Sequence, residues 1–177
     1  MLMNRWNRCV SVALLVFTAA VPARAAAAAQ STSSLAWFED RWIDLTVDWE
    51  GATACDVRPT GTVCFRTEKE MNTAPRRAAA GTQVGTMAIC ASSLRLYDGI
   101  SYTGTVLQLT TRNVAHKLST YGFDNVTTSY KVGGCDTEFY SAPNLGGSAY
   151  PGNTSAGAQS ATMAVGWNNL VSSVYIF

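Results

Sequence analysis

The sequence predicts an all-β domain, a sandwich of two Greek-key motifs, with an extra disulfide-bonded N-terminal segment ahead of it. Three observations lead there. Two near-copies of one motif stand 44 positions apart, Gly122-Phe123-Asp124-Asn125-Val126-Thr127-Thr128-Ser129 and Gly166-Trp167-Asn168-Asn169-Leu170-Val171-Ser172-Ser173. From Cys90 onward the chain breaks into short β-prone stretches separated by Gly, Asn, Pro and Ser clusters, with weak helix signals. Each copy also follows an aromatic–glycine pair, Tyr97 and Gly104 in one and Tyr140 and Gly147 in the other. An aromatic, a tight corner and a glycine able to take φ > 0 are what a folded-over β-hairpin needs. Repetition at fixed spacing implies two copies of one supersecondary unit, and many short strands with frequent turns argue for stacked antiparallel sheets.

Along the chain, residues 1–25 read as a secretory signal peptide. Arg5 and Arg8 make a basic start, Cys9 to Ala20 a short apolar run, and Ala23-Arg24-Ala25 the small-residue cleavage positions. The apolar run is too short to span a bilayer, and Cys9 lies at its beginning, where no lipid anchor is expected. Residues 26–34 are alanine- and serine-rich and read as a flexible tail. Residues 35–89 form an N-terminal extension. Within it Phe38, Trp42, Leu45 and Trp49 fit one helical face, whereas Ile43, Leu45, Val47 and Trp49 alternate as a strand would, and both patterns stand. Glu39, Asp40, Asp44, Asp48 and Glu50 mark a solvated face. Thr62 to Phe65 reads as a short strand, Glu68 to Met71 as the start of a helical turn, and Asn72 to Gly85 as a linker. Residues 90–177 hold the two units, about 90–132 and 135–177. The expected strands are Leu94–Tyr97, Thr105–Leu109 and Val126–Val132, then Thr137–Tyr140, Ser148–Tyr150 and Leu170–Phe177.

Cys55, Cys64, Cys90 and Cys135 follow the signal, an even number bound for an oxidising compartment, so two disulfides are expected. Of the three connectivities, Cys55–Cys64 with Cys90–Cys135 is favoured. The first pair closes a small loop around Pro59 and Gly61, and the second ties together the starts of the two repeats. The chain-entropy model gives roughly 3 and 4 kcal/mol for the two. A zinc site would need more than a single histidine, His116, and cysteines without a CxxC pair.

The formal charge of +1 includes Arg5, Arg8 and Arg24; without them 10 Lys/Arg face 12 Asp/Glu, a net charge of −2. No basic run stands out, so nucleic acid is not an expected partner, and no later stretch is apolar enough for membrane insertion. The protein is expected to be secreted.

The pair of corners and the pair of motifs together resemble the βγ-crystallin family over roughly Cys90 to Phe177. The resemblance rests on Tyr97…Gly104 and Tyr140…Gly147, and on two clamps of the form Asx-Asx-x-x-Ser/Thr-Ser, the pattern of the family's microbial calcium-binding members. It implies a calcium-binding protein in which calcium is structural and shared, both clamps contributing to both sites. The implied metal ligands are Asp124, Asn125, Thr128, Ser129, Asn168, Asn169, Ser172 and Ser173, with backbone carbonyls near Asp98 or Ser141. Calcium takes six to eight oxygens in loose geometry, which closely spaced Asx and hydroxyl residues can supply. The rival account is that the same side chains only cap turns. Phe123 and Trp167 are expected to fill the core beneath the clamps.

No catalytic set is evident, and a non-enzyme is expected. GxSxG and phosphate-binding glycine loops are absent from the sequence, and His116 reads as a surface residue in a polar loop. The alternative is a secreted protease inhibitor or killer-toxin-like antimicrobial on the same fold, with an extracellular protein such as a protease as partner. It rests on the cysteine-framed segment Cys55 to Cys64, which resembles the opening of such inhibitors but lies before the Greek keys. A carbohydrate binder would use exposed aromatics, whereas the seven Tyr and five Trp are expected mainly in the core.

Overall fold

The computed structural model describes residues 33–75 and 94–177. The segment expected to be a signal peptide, most of the expected tail and linker, and Cys90 lie outside the described residues. Among the described residues twelve short strands form two sheets, joined by one short α-helix and three 3-10 turns.

The repeat is built as expected from its alternation. In the first unit, β5 (Leu94–Tyr97) points Leu94 and Leu96 into the core and Arg95 away from it, and β6 (Val106–Leu109) does the same with Leu107 and Leu109. Then come β7 (Val114–Lys117) and β8 (Ser129–Lys131). The second unit is β9 (Thr137–Ala142), β10 (Gly146–Ala149), β11 (Gln159–Ser160) and β12 (Ser173–Ile176). The small sheet runs β10-β9-β12-β7, and one end of the large sheet runs β11-β8-β5-β6. Each unit therefore lends its third strand to the other unit's sheet, so neither half can close without its partner. Between the sheets Tyr130 and Phe139 stand edge to face at 5.0 Å, and Tyr150 and Trp167 at 5.2 Å. Phe123 and Trp167 both lie in this core, beneath the clamps as expected.

The N-terminal segment is not an appendage. Its strands β1 (Leu35–Phe38), β2 (Arg41–Asp44), β3 (Ala54–Arg58) and β4 (Gly61–Phe65) continue the large sheet beyond β6 in the order β3-β4-β1-β2. The junction is parallel, with Ala54 opposite Val106 and Val57 opposite Leu109. Cys55 and Cys64 face each other across β3 and β4 and are disulfide-bonded, so the staple sits inside the domain rather than on a separate N-terminal piece. Cys135 is buried and disulfide-bonded. Neither pattern offered for residues 35–49 is realised whole: strands form over Leu35–Phe38 and Arg41–Asp44, while Leu45, Val47 and Trp49, three of the four alternating positions, fall in the turn and loop that follow. Ala36, Phe38 and Ile43 turn inward, while Trp37 and Trp42 turn out.

Helix α1 (Glu68–Thr73) begins where Thr67 caps it, its side chain accepting from the Glu70 N–H. It lies on the outer face of the large sheet. Met71 joins Ala54, Tyr97 and Val106 in a small second core. Arg95 donates to Glu68 and Asn72 at 2.6 Å each and to Gln108 at 2.8 Å, and Gln108 in turn donates to buried Asp56. Burial and the Glu68 carboxylate push the Tyr97 hydroxyl up to about 12. No helix among the described residues is long and apolar enough to cross a membrane.

Candidate metal centre

The corners set the clamps. After each corner aromatic the backbone makes the same turn, with Ser101 and Tyr102 at φ 54° and 63° and Asn144 and Leu145 at 56° and 61°. Asp98 Oδ1 accepts from the Thr105 N–H at 2.7 Å, and Ser141 Oγ accepts from the Ser148 N–H at 2.9 Å. These side chains lie so tightly against Gly104 and Gly147 that an added Cβ would fall 2.0 Å and 2.5 Å from the respective oxygens. Both glycines have positive φ as well. The corner glycine is thus required by its backbone conformation, and a larger residue would also displace the side chain that bonds the corner.

The last residue of each clamp is spent on the corner. Ser129 Oγ donates to the Gly99 carbonyl at 2.6 Å and accepts from the Tyr102 N–H at 3.0 Å. Ser173 Oγ donates to the Ala142 carbonyl at 2.6 Å and accepts from the Leu145 N–H at 2.9 Å. Both serines are fully buried. Their oxygens hold the hairpin corners, each bonded to one carbonyl and one N–H there.

Four of the other six positions, Asn125, Thr128, Asn169 and Ser172, meet between the two clamps. Asn125 and Asn169 occupy the left-handed region at φ 56° each, a conformation asparagine tolerates. The Asn125 N–H donates to the Val171 carbonyl, and the Asn169 N–H to the Thr127 carbonyl. The side chains repeat the exchange. Thr128 Oγ1 donates to Asn169 Oδ1 at 3.2 Å, and Ser172 Oγ donates to Asn125 Oδ1 at 3.1 Å. Each clamp's second Asx is therefore bonded to the other clamp's first hydroxyl. Asn168 is exposed and Asp124 half-buried.

Two atoms break this tidy satisfaction. Asp124 Oδ1 and Thr127 Oγ1 are buried without a hydrogen-bond partner. A buried acceptor left unpaired costs about 1–3 kcal/mol, more if it is charged. For Asp124 a cation would supply the missing partner, and the surrounding amide and hydroxyl oxygens are a hard donor set suited to calcium. The residues present therefore fit a calcium ion. Thr127 has an apolar counterpart, Val171, and both are completely buried. Its hydroxyl belongs to the core side of the loop rather than to the ligand set. No group of three or more His, Cys, Asp or Glu suited to a metal occurs among the described residues.

His116 corrects the sequence expectation of a surface loop. It sits on β7, buried, with Nε2 2.9 Å from the Thr111 carbonyl and Nδ1 3.5 Å from the Tyr121 hydroxyl. Burial lowers its pKa from the usual 6.5, against a smaller opposing effect of the Thr111 carbonyl. The ring forms one wall of a cleft of about 240 Å³ that also touches Arg58, Lys117 and Asn144.

No protein-family model matches the chain, and no curated protein matches its sequence. Among solved structures it is similar to a βγ-crystallin domain from Flavobacterium johnsoniae, 22% identical over 48% of this chain and 92% of that chain, TM-score 0.41. A βγ-crystallin domain from Clostridium beijerinckii is 23% identical over 48% of this chain and 97% of that chain, TM-score 0.40. A βγ-crystallin from Ciona intestinalis is 19% identical over 48% of this chain and 99% of that chain, TM-score 0.40. The fold of residues 94–177 is βγ-crystallin-like, as the interlocked strand order and the paired corners show.

Proposed function

We propose that this chain is a secreted protein that binds calcium through its two interleaved clamps and uses the ion to tighten its own fold. One observation carries the proposal. The reciprocal Thr128–Asn169 and Ser172–Asn125 bonds bring both clamps together beside a buried Asp124 oxygen that has no partner. Asp124, Asn125, Thr128, Asn168, Asn169 and Ser172 would hold the ions, while Ser129 and Ser173 keep the corners in place. Calcium would supply positive charge to Asp124 and join loops from both units.

The donor set also sets the strength. Only Asp124 among the four Asx residues carries charge, which favours weak sites on the order of 10⁻⁴ to 10⁻³ M. At ten times its Kd, calcium would stabilise the fold by about 1.4 kcal/mol per site. Such affinities suit an extracellular setting, which the signal-like N-terminus and the Cys55–Cys64 disulfide also support.

Isothermal titration calorimetry with calcium, paired with melting curves in calcium and in EDTA, tests this. Saturable heat and an EDTA-sensitive rise in Tm are expected, both lost when Asp124→Ala is combined with Asn169→Ala. Silent titrations with superimposable melts would leave the clamps as turn caps alone.

A further inference from the structure

The outer face of the large sheet carries a lateral row in which Trp42, Trp37, Val63, Asp56, Gln108 and Arg95 are successive cross-strand partners. Its middle is roofed, since Asp56 and Gln108 are 2% and 3% exposed and Arg95 is bonded to α1. The tryptophan end is open. Trp42 is 63% and Trp37 38% exposed, and their rings meet edge to face with centroids 5.3 Å apart. This is the native register, because Ala36, Phe38 and Ile43 take the inward positions, and a one-residue slip would exchange the two sets.

Two hollows adjoin the Trp37 indole. One, of about 330 Å³, is walled by Trp37, Val63 and Phe65 with Arg58 alongside. The other, of about 260 Å³, shares those apolar walls and is rimmed by Glu39, Asp40, Arg66 and Glu70. Glu39 is ion-paired with Arg66 across this rim. Glu39 and Asp40 are also the two residues of the β1–β2 turn, at φ 44° and 65°. A two-residue turn with both φ positive is ordinarily made by Asn-Gly or Asp-Gly. Placing Glu39 there keeps a carboxylate at the hollow's mouth against local preference, a departure of the kind found at functional sites.

We propose that this platform binds a chain of β-linked pyranose sugars. The flat C–H face of a pyranose ring would stack on the more exposed Trp42, with Trp37, whose ring stands at 76° to it, walling the side. Its hydroxyls would donate to Glu39, Asp40 and Glu70 and accept from Arg66. The rim fits this occupant better than others. Three carboxylates beside two guanidiniums do not attract nucleic acid. An added peptide strand would use the free edge of β2, which is four residues long with Arg41 and Asp44 at its ends. The indoles project from the sheet face, not from that edge.

The test uses the mature protein, with cellohexaose and chitohexaose as probes, followed by tryptophan fluorescence and calorimetry. Saturable binding of at least one hexaose is expected. Trp37→Ala and Trp42→Ala should each weaken it about tenfold or more, equivalent to about 1.4 kcal/mol. Neither residue belongs to the clamps, so calcium titrations should be unchanged in both variants. Trp42 is largely exposed, so Trp42→Ala should also melt like the parent. The proposal is overturned if neither hexaose binds at millimolar concentration, or if Trp42→Ala binds as well as the parent. It also falls if sedimentation reveals a dimer that Trp42→Ala abolishes while no sugar binds, which would make the patch a self-association surface.

Discussion

Replacing Gly122 and Gly166 with alanine, one at a time, separates the two repeats by their surroundings. Both glycines open a clamp motif, and both have positive φ, 64° and 80°. Placing alanine in the left-handed region costs about 1 kcal/mol or slightly more. At Gly166 that is the whole effect, because an added Cβ would meet nothing within 4 Å. At Gly122 the same carbon would lie 2.1 Å from the Leu45 carbonyl oxygen and 3.2 Å from Trp49 Nε1. The neighbour that must yield is backbone, and moving it disturbs the Trp49 Nε1–H bond to the Tyr121 carbonyl and the Trp49–Phe123 ring contact. Those are worth about 1 kcal/mol and about 0.5–1.5 kcal/mol. Gly122→Ala should therefore cost about 2.5–4 kcal/mol against about 1 kcal/mol for Gly166→Ala. Urea unfolding with a common m-value reads both. Equal losses at the two sites would refute the conclusion that residues 45–49 brace the first repeat.

Thr127→Val removes a buried hydroxyl without a partner at a position where the second repeat already has valine. It should stabilise the protein by about 1–2 kcal/mol in the same unfolding assay. Ser129→Ala and Ser173→Ala each strip a corner carbonyl and a corner N–H of their partner. Each should cost about 2–3 kcal/mol even in EDTA, whereas serines acting only as calcium ligands would cost stability only with calcium present. His116 is held neutral by burial, with its pKa below 6.5. As pH falls below 6.5 the unfolded chain binds a proton that the folded chain refuses, so stability should fall, by up to about 1.4 kcal/mol per pH unit. Melts between about pH 5 and 7 should show this slope, and His116→Gln should flatten it.

What was legible in the sequence was whatever repeated. The corner aromatics and glycines and the clamp hydroxyls recur because each unit needs the same turn and the same two corner bonds, so one copy validates the other. Strands that depend on tertiary partners were hidden. Ala54–Arg58 places Asp56 in mid-strand, against strand preference, and only Gln108 and Arg58 make that placement affordable. His116 looked like a loop residue because its polarity says nothing of the Thr111 carbonyl waiting for it. Residues 35–49 fitted two periods because their outward positions are as hydrophobic as their inward ones. Trp37 and Trp42 break the rule that alternation separates core from solvent. The Ser129 and Ser173 roles were invisible for another reason: a serine that caps a corner and one that binds calcium occupy the same place in the motif.

The pseudo-twofold is close in backbone and in hydrogen bonds but broken in charge and bracing. Asp124 has neutral Asn168 as its counterpart in the second motif, and Gly122 is packed against Leu45 and Trp49 where Gly166 is open. Both departures fall on the first clamp. A braced loop loses less freedom when it takes a ligand, and a carboxylate contributes more to a hard cation than an amide does. On the calcium proposal, the two ions should therefore bind in unequal steps, the tighter at the site that Asp124 serves. Asp124→Asn should bring the steps together by weakening the first, and a two-site calorimetric isotherm would resolve them. Identical steps in the parent protein would mean that the N-terminal strands brace the fold without tuning the metal.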